Sequence, residues 1–230
     1  MTTPEATTSQ TYRFARAWHA AVAVIVLASL VAQFVLSLTG VGTIEPDVAA
    51  GTRVIRFFSF FTIMSNILFC AVSITLAIKP DRREGLVWRV LRLDAVLCMA
   101  VTGLVFVTVL RGLEDLSGLR VFTDAGLHYV APPLAVLGWL LFGPRPRITQ
   151  RVVYLATVLP IAWAAYTLLR GAVVDWYPYP FIDVIEHGYG QVLVNIVVVA
   201  TLFVAFGLLF WYLDRRLAAS PGRASSAAGE

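Results

Sequence analysis

Apolar residues fall in six long blocks, at about 17–39, 57–78, 90–110, 124–143, 152–170 and 190–213, separated by short polar connections. Each block approaches the roughly 20 residues that a helix needs to cross a bilayer. The fourth is continuously apolar only from Leu127, and its helix is expected to start earlier, near Asp124. The first is too long for the core of a signal peptide and no small-residue cleavage site follows it, so it reads as a helix. The pattern predicts an all-α polytopic membrane protein, a six-helix transmembrane bundle over residues 14–214. Residues 1–13 and 215–230 are small or polar and are expected to be disordered cytoplasmic tails. No internal repeat of the kind that marks many transporters is visible.

Composition points the same way. Hydrophobic residues make up 59% of the chain and charged residues 14%, too few to cover the surface of a soluble domain. The net charge of +4 does not indicate a nucleic-acid partner, because basic residues sit between apolar blocks and not in a patch interleaved with exposed aromatics. Cys70 and Cys98 both lie inside apolar blocks and read as small packing residues, with neither a disulfide nor a metal site implied.

Charge also sets the orientation, since cytoplasmic connections carry an excess of Lys and Arg. The N-terminal tail, the 79–92 and 144–151 loops and the C-terminal tail hold 13 of the 18 basic residues; the three intervening loops hold 5. Both termini are therefore expected on the cytoplasmic side. All but one of the basic residues are Arg, which, with the Ala- and Val-rich helices, suggests a bacterial inner membrane.

Polar side chains inside apolar blocks are the candidates for chemistry, because each must find a partner or face a cavity. The second block is the richest. Ser59, Thr62, Asn66 and Ser73 recur at helical spacing with Ser65 beside them, forming a polar stripe that either glues helices together or lines a site. In the fourth, Asp124 is expected as an N-cap, with His128 one turn further on and Tyr129 next to it. Pro132 and Pro133 lack N–H groups, so the carbonyls of His128 and Tyr129 lose their usual partners.

On the expected topology Thr62 lies roughly 9 Å, His128 roughly 6 Å and Asn195 roughly 9 Å below the outer boundary. A shared site in the outer half is thus open to a hydroxyl, an imidazole and an amide. The pair supports nucleophilic catalysis: imidazole takes the proton as Thr Oγ attacks a carbonyl, and Ser65, Asn66 or Asn195 donates to the oxyanion. The loop Trp176-Tyr177-Pro178-Tyr179-Pro180-Phe181 forms either an interfacial aromatic belt or a lid, with Asp183 then orienting an imidazole. A His128–His187 metal pair lacks a third ligand, and neither metal nor cofactor is expected. Asp94 is expected to pair locally with Arg92 or Arg89, a proton relay being the other option.

Four stretches resemble the androgen-induced family of multipass membrane proteins, and more closely its bacterial six-span relatives: Arg56 to Asn66 (RFFSFFTIMSN), Leu91 to Arg111, Leu127 to Phe142 (LHYVAPPLAVLGWLLF), and Tyr177 to Gly190. The resemblance covers most of the membrane region. It implies hydrolysis of fatty acid esters of hydroxy fatty acids by an intramembrane Thr and His, which fall here on Thr62 and His128. Asn66 departs from the animal pattern.

Two functions from different classes follow. One is a threonine hydrolase of lipid esters, its amphiphilic substrate entering sideways from the outer leaflet. The other is a non-enzymatic small transporter or lipid-binding protein using the same polar cavity. Transport is disfavoured by the near absence of deep charges other than Asp94. Partners in either case are lipids or amphiphilic small molecules.

Overall fold

The structure is a computed structural model that describes residues 4–41, 47–80, 85–113, 115–143 and 145–217. Its described residues are helical with short connections and contain six helical segments long and apolar enough to cross a membrane. The chain is a multi-pass membrane protein built as an all-α bundle. The spans are Gln10–Thr39, Phe61–Ile78, Leu86–Leu110, Leu119–Phe142, Gln150–Val174 and Val184–Arg216, one for each apolar block. Part of the expected tail at 215–230, residues 218–230, lies outside the described residues, as do residues 1–3.

Helix α1 (Pro4–Thr39) begins inside the stretch expected to be an unstructured tail, with proline at a first-turn position that needs no N–H. Its last carbonyls are satisfied from the next element: Arg53 donates from Nε to Ser37 O at 2.9 Å and from Nη2 to Leu38 O at 3.0 Å. Arg53 belongs to α2 (Ala50–Ser59), a short helix that buries Phe57 and Ser59. The Phe57 ring meets Phe34 of α1 edge-on.

The second block is not one continuous helix. At Phe60 the backbone turns extended (φ −71°, ψ 129°), and α3 starts afresh at Phe61 and runs to Ile78. Ser59 therefore ends one helix while Thr62 opens the next, so the polar stripe is divided between two elements.

Helix α4 (Leu86–Val105) is the axis of the bundle and the most buried span. One of its faces packs with α1, α3 and the end of the fourth span (131–142) around Val26, Phe69, Ala95 and Met99; the other packs with the fifth and sixth spans around Leu97, Val101, Val152 and Phe203. Lipid supplies no hydrophobic drive between spans, so close fit and polar contacts hold them. Gly103 is one point of fit, since a Cβ there would lie 2.7 Å from the Pro132 ring.

The fourth span is longer at its start than expected. It comprises α5 (Leu119–Asp124), a π-helical turn (Ala125–Val130) and α6 (Ala131–Phe142). Asp124 lies within this helix and is not its N-cap. Two prolines without N–H groups follow, and the turn before them widens: the Ala131 N–H reaches back five residues to Gly126 O. A second π turn, Phe106–Leu110, extends α4 beside it. The fifth span is α7 (Gln150–Ala156) and α8 (Val158–Val174); the sixth is α9 (Val184–Arg216).

At the other end of the bundle Asp214 is fully buried and accepts the Arg147 and Ile148 N–H groups at 2.6 and 2.7 Å. Asp94 is buried too, but it accepts from the Cys98 thiol at 3.4 Å and pairs with no arginine among the described residues. Arg92 reaches Gly143 O instead.

Loop 175–183 folds back into the bundle. Tyr177 and Tyr179 are buried, and Tyr177 seats against Gly171 of α8, where a Cβ would fall 2.0 Å from its ring. Gly171→Val should displace that ring and lower stability by about 1–3 kcal/mol. Thermal unfolding of the detergent-purified variant checks this, against Gly51→Ala, whose Cβ meets open space.

Candidate active site

The break at Phe60 creates the site. A helix start leaves its first N–H groups without intrahelical partners, and Thr62 is the second residue of α3. Its N–H is satisfied from far along the chain, donating to the Tyr179 phenol at 3.1 Å. The same phenol lies 3.2 Å from Thr62 Oγ1. Burial pushes the Tyr179 phenol above its ordinary range, opposed by the Thr62 hydroxyl and the N–H groups of Thr62 and Phe61. It stays protonated and available as a donor.

Thr62 Oγ1 is 3.1 Å from His128 Nε2, and His128 Nδ1 is 2.8 Å from Asp124 Oδ1. With Nδ1–H donating to the carboxylate, Nε2 is the bare nitrogen that accepts the Thr62 hydroxyl proton. Tyr179 then donates to Thr62 Oγ1 while accepting the Thr62 N–H, so the phenol, the hydroxyl and both imidazole nitrogens are all engaged. The imidazole is held flat against the Phe106 ring, with centroids 3.9 Å apart and planes within 9°. Both aromatic partners sit on π turns, which are wider than α-helical ones. A hydroxyl, an imidazole and a carboxylate in series are the parts of a nucleophile–base–orienter triad, which is recognised by geometry and not by chain order.

Of the residues singled out in the sequence, Thr62 and His128 meet and the rest surround or lie apart from them. Ser65 Oγ donates to Thr62 O at 3.0 Å and contacts Thr102 Oγ1 at 3.2 Å; Asn66 Nδ2 donates to Thr62 O at 2.8 Å. Both hold the first turn of α3 through the Thr62 carbonyl. Ser59 ties α8 to the bundle, meeting the Tyr166 hydroxyl at 3.2 Å while its carbonyl accepts from Trp163 Nε1 at 2.9 Å. Tyr129 is exposed, with its ring edge against Phe106.

Two of the expected residues are engaged by neighbouring groups. Asn195 donates to Phe181 O at 2.7 Å and accepts from Gln191 Nε2 at 3.0 Å, and so fastens the 175–183 loop. Asp183 caps α9, accepting from the Ile185 N–H at 2.8 Å and the Glu186 N–H at 3.3 Å; it orients no imidazole. The orienting carboxylate is Asp124. Both nitrogens of His128 are engaged, and His187 lies beside Glu186, so the two histidines do not form a pair.

Asp124 and Tyr179 were not singled out as site partners. Asp124 had a local signal, four residues before His128 on one helical face. Tyr179 lies 117 residues from Thr62 and had none.

Beside Thr62 lies a cavity of about 210 Å³, walled mainly by apolar side chains of α3, α4, α8, α9 and the loop. Tyr179→Phe should leave the Thr62 N–H unpaired in this buried setting and cost about 1–3 kcal/mol, read as a fall in Tm. Compared with protein-family models, curated proteins and solved structures, the chain matches none.

Proposed function

We propose that the chain is an intramembrane hydrolase of lipid esters, with Thr62 as nucleophile and His128 as general base. The observation that supports this most is the series Tyr179–Thr62–His128–Asp124, which carries a hydroxyl, its base and the base's orienter within hydrogen-bond reach. The resemblance of Arg56–Asn66 and Leu127–Phe142 to the androgen-induced family leads to the same pair and to fatty acid esters of hydroxy fatty acids or similar substrates. The charge asymmetry puts the site in the outer half of a bilayer, with a bacterial inner membrane the setting proposed.

In this mechanism Thr62 Oγ1 attacks the ester carbonyl carbon as its proton passes to His128 Nε2. The carbonyl electrons move onto oxygen, which displaces the resting partners of the Thr62 N–H and the Tyr179 hydroxyl and accepts a hydrogen bond from each. The N–H sits at the positive end of α3, where negative charge is favoured. Collapse expels the alkoxide, which leaves as the alcohol with the proton from His128, and an acyl-Thr62 ester remains. Water then attacks that ester with His128 again as base, releasing the fatty acid and restoring the Thr62 hydroxyl. Asp124 keeps the proton on Nδ1 and stabilises the imidazolium formed in each half.

The cavity beside Thr62 also suits a lipid-binding protein without catalysis, and a fluorophosphonate probe separates the two. Wild-type protein in detergent should be labelled at Thr62, and Thr62→Ala should not. His128→Ala and Asp124→Asn should each slow labelling by about 10²–10⁴-fold while remaining folded. A folded wild type that resists the probe would move the assignment to lipid binding.

A further inference from the structure

The cavity differs in chemistry from one end to the other. Near Thr62 it meets the hydroxyls of Thr62, Tyr179 and Thr102, and at the far end that of Thr157; between them the walls are apolar. None of these hydroxyls is free. Thr62 is bound to His128, Thr102 to Ser65, and Thr157 donates to Tyr154 O at 2.7 Å. A tenant that needs hydrogen bonds along its length finds none, whereas an alkyl chain needs none.

The shape fits a chain too. Helices α8 and α9 scarcely touch each other, and α8 is joined to the bundle through the long side chains of Trp163 and Tyr166, which reach Ser59. The lining stretches 157–164 on α8 and 196–204 on α9 each extend about 12 Å at the helical rise. Ile161 and Val204, both on the lining, are 62% and 46% exposed, so the slot opens sideways onto the face that meets lipid.

His128 and Asp124 do not line this slot. They approach Thr62 from the fourth span, where Tyr129 is exposed. The group that protonates the leaving oxygen is His128, so the alcohol half of an ester must lie on the His128 side of the carbonyl carbon. The slot is left for the other half.

We propose that the slot between α8 and α9 holds the acyl chain of the ester, and that Ala164 and Ala200 on its walls set acyl-chain preference while the alcohol leaves past His128 and Tyr129. This rests on the assignment of Thr62 as nucleophile. Substrate enters sideways, with its chain passing from bilayer to slot without crossing water.

The test uses two ester series, one varying acyl length at a fixed alcohol and one varying the alcohol at a fixed acyl group. In Ala200→Phe and Ala164→Phe the ratio of kcat/KM for dodecanoyl over butanoyl esters should fall about tenfold or more. An equal fall for short and long acyl chains, or a shift in alcohol preference at constant acyl preference, overturns the proposal. Photolabelling of Thr62→Ala with a fatty acid bearing a terminal diazirine reads the slot without catalysis. Adducts concentrated on 157–164 and 196–204, and reduced in the Ala200→Phe background, support it; adducts spread evenly over the lipid-facing surface overturn it. If wild type cleaves no ester, the hydrolase assignment fails, and the labelling still decides whether the slot holds a chain.

Discussion

A helix that begins at the edge of a bilayer must have its first N–H groups satisfied by the protein, because hydrocarbon supplies no partner. In this chain that demand falls on α3, which restarts at Phe61 after the extended residue Phe60. A phenol from the 175–183 loop meets it, so the loop is drawn down into the bundle and Tyr177 and Tyr179 are buried. Phe60 and Trp163 pack around Tyr179, and Asn195 fastens the loop at Phe181. The first turn of α3, the 175–183 loop and α9 thereby form one connected structure around Thr62.

The same logic runs through the fourth span. Pro132 and Pro133 remove two donors, the preceding turn relaxes to π geometry, and His128 sits on that turn. Its ring is fixed on three sides: Asp124 at Nδ1, Thr62 at Nε2 and Phe106 across one face. An imidazole so constrained has one tautomer and one orientation, which a general base needs before any substrate arrives. Buried polar groups that elsewhere act only to hold spans together are here arranged in a single directed series.

Much of this was legible in the chain. The six blocks gave six spans because bilayer thickness fixes the length of an apolar run, and that length survives whatever the helices pack against. Thr62 and His128 stood out because hydroxyls and imidazoles are costly in apolar blocks, and helical rise placed them at similar depth. The break at Phe60 was not legible, since Phe-Phe-Ser-Phe-Phe carries no Pro or Gly to mark it. The backbone partners of Asn195 and Asp183 were not legible, because depth and polarity do not say which way a side chain turns; one bonds Phe181 O and the other caps α9.

By itself, then, the sequence determined the solvent, the number of spans and the polar residues from which a site must be drawn. These follow from one-dimensional quantities: length of apolar run and periodicity along one helix. Only the tertiary structure decided that Asp124 orients His128, that Tyr179 answers the Thr62 N–H and that an apolar slot opens between α8 and α9. The physical reason is that hydrogen bonds are short and directional, so a partner 117 residues away is chosen by packing and leaves no mark in local spacing.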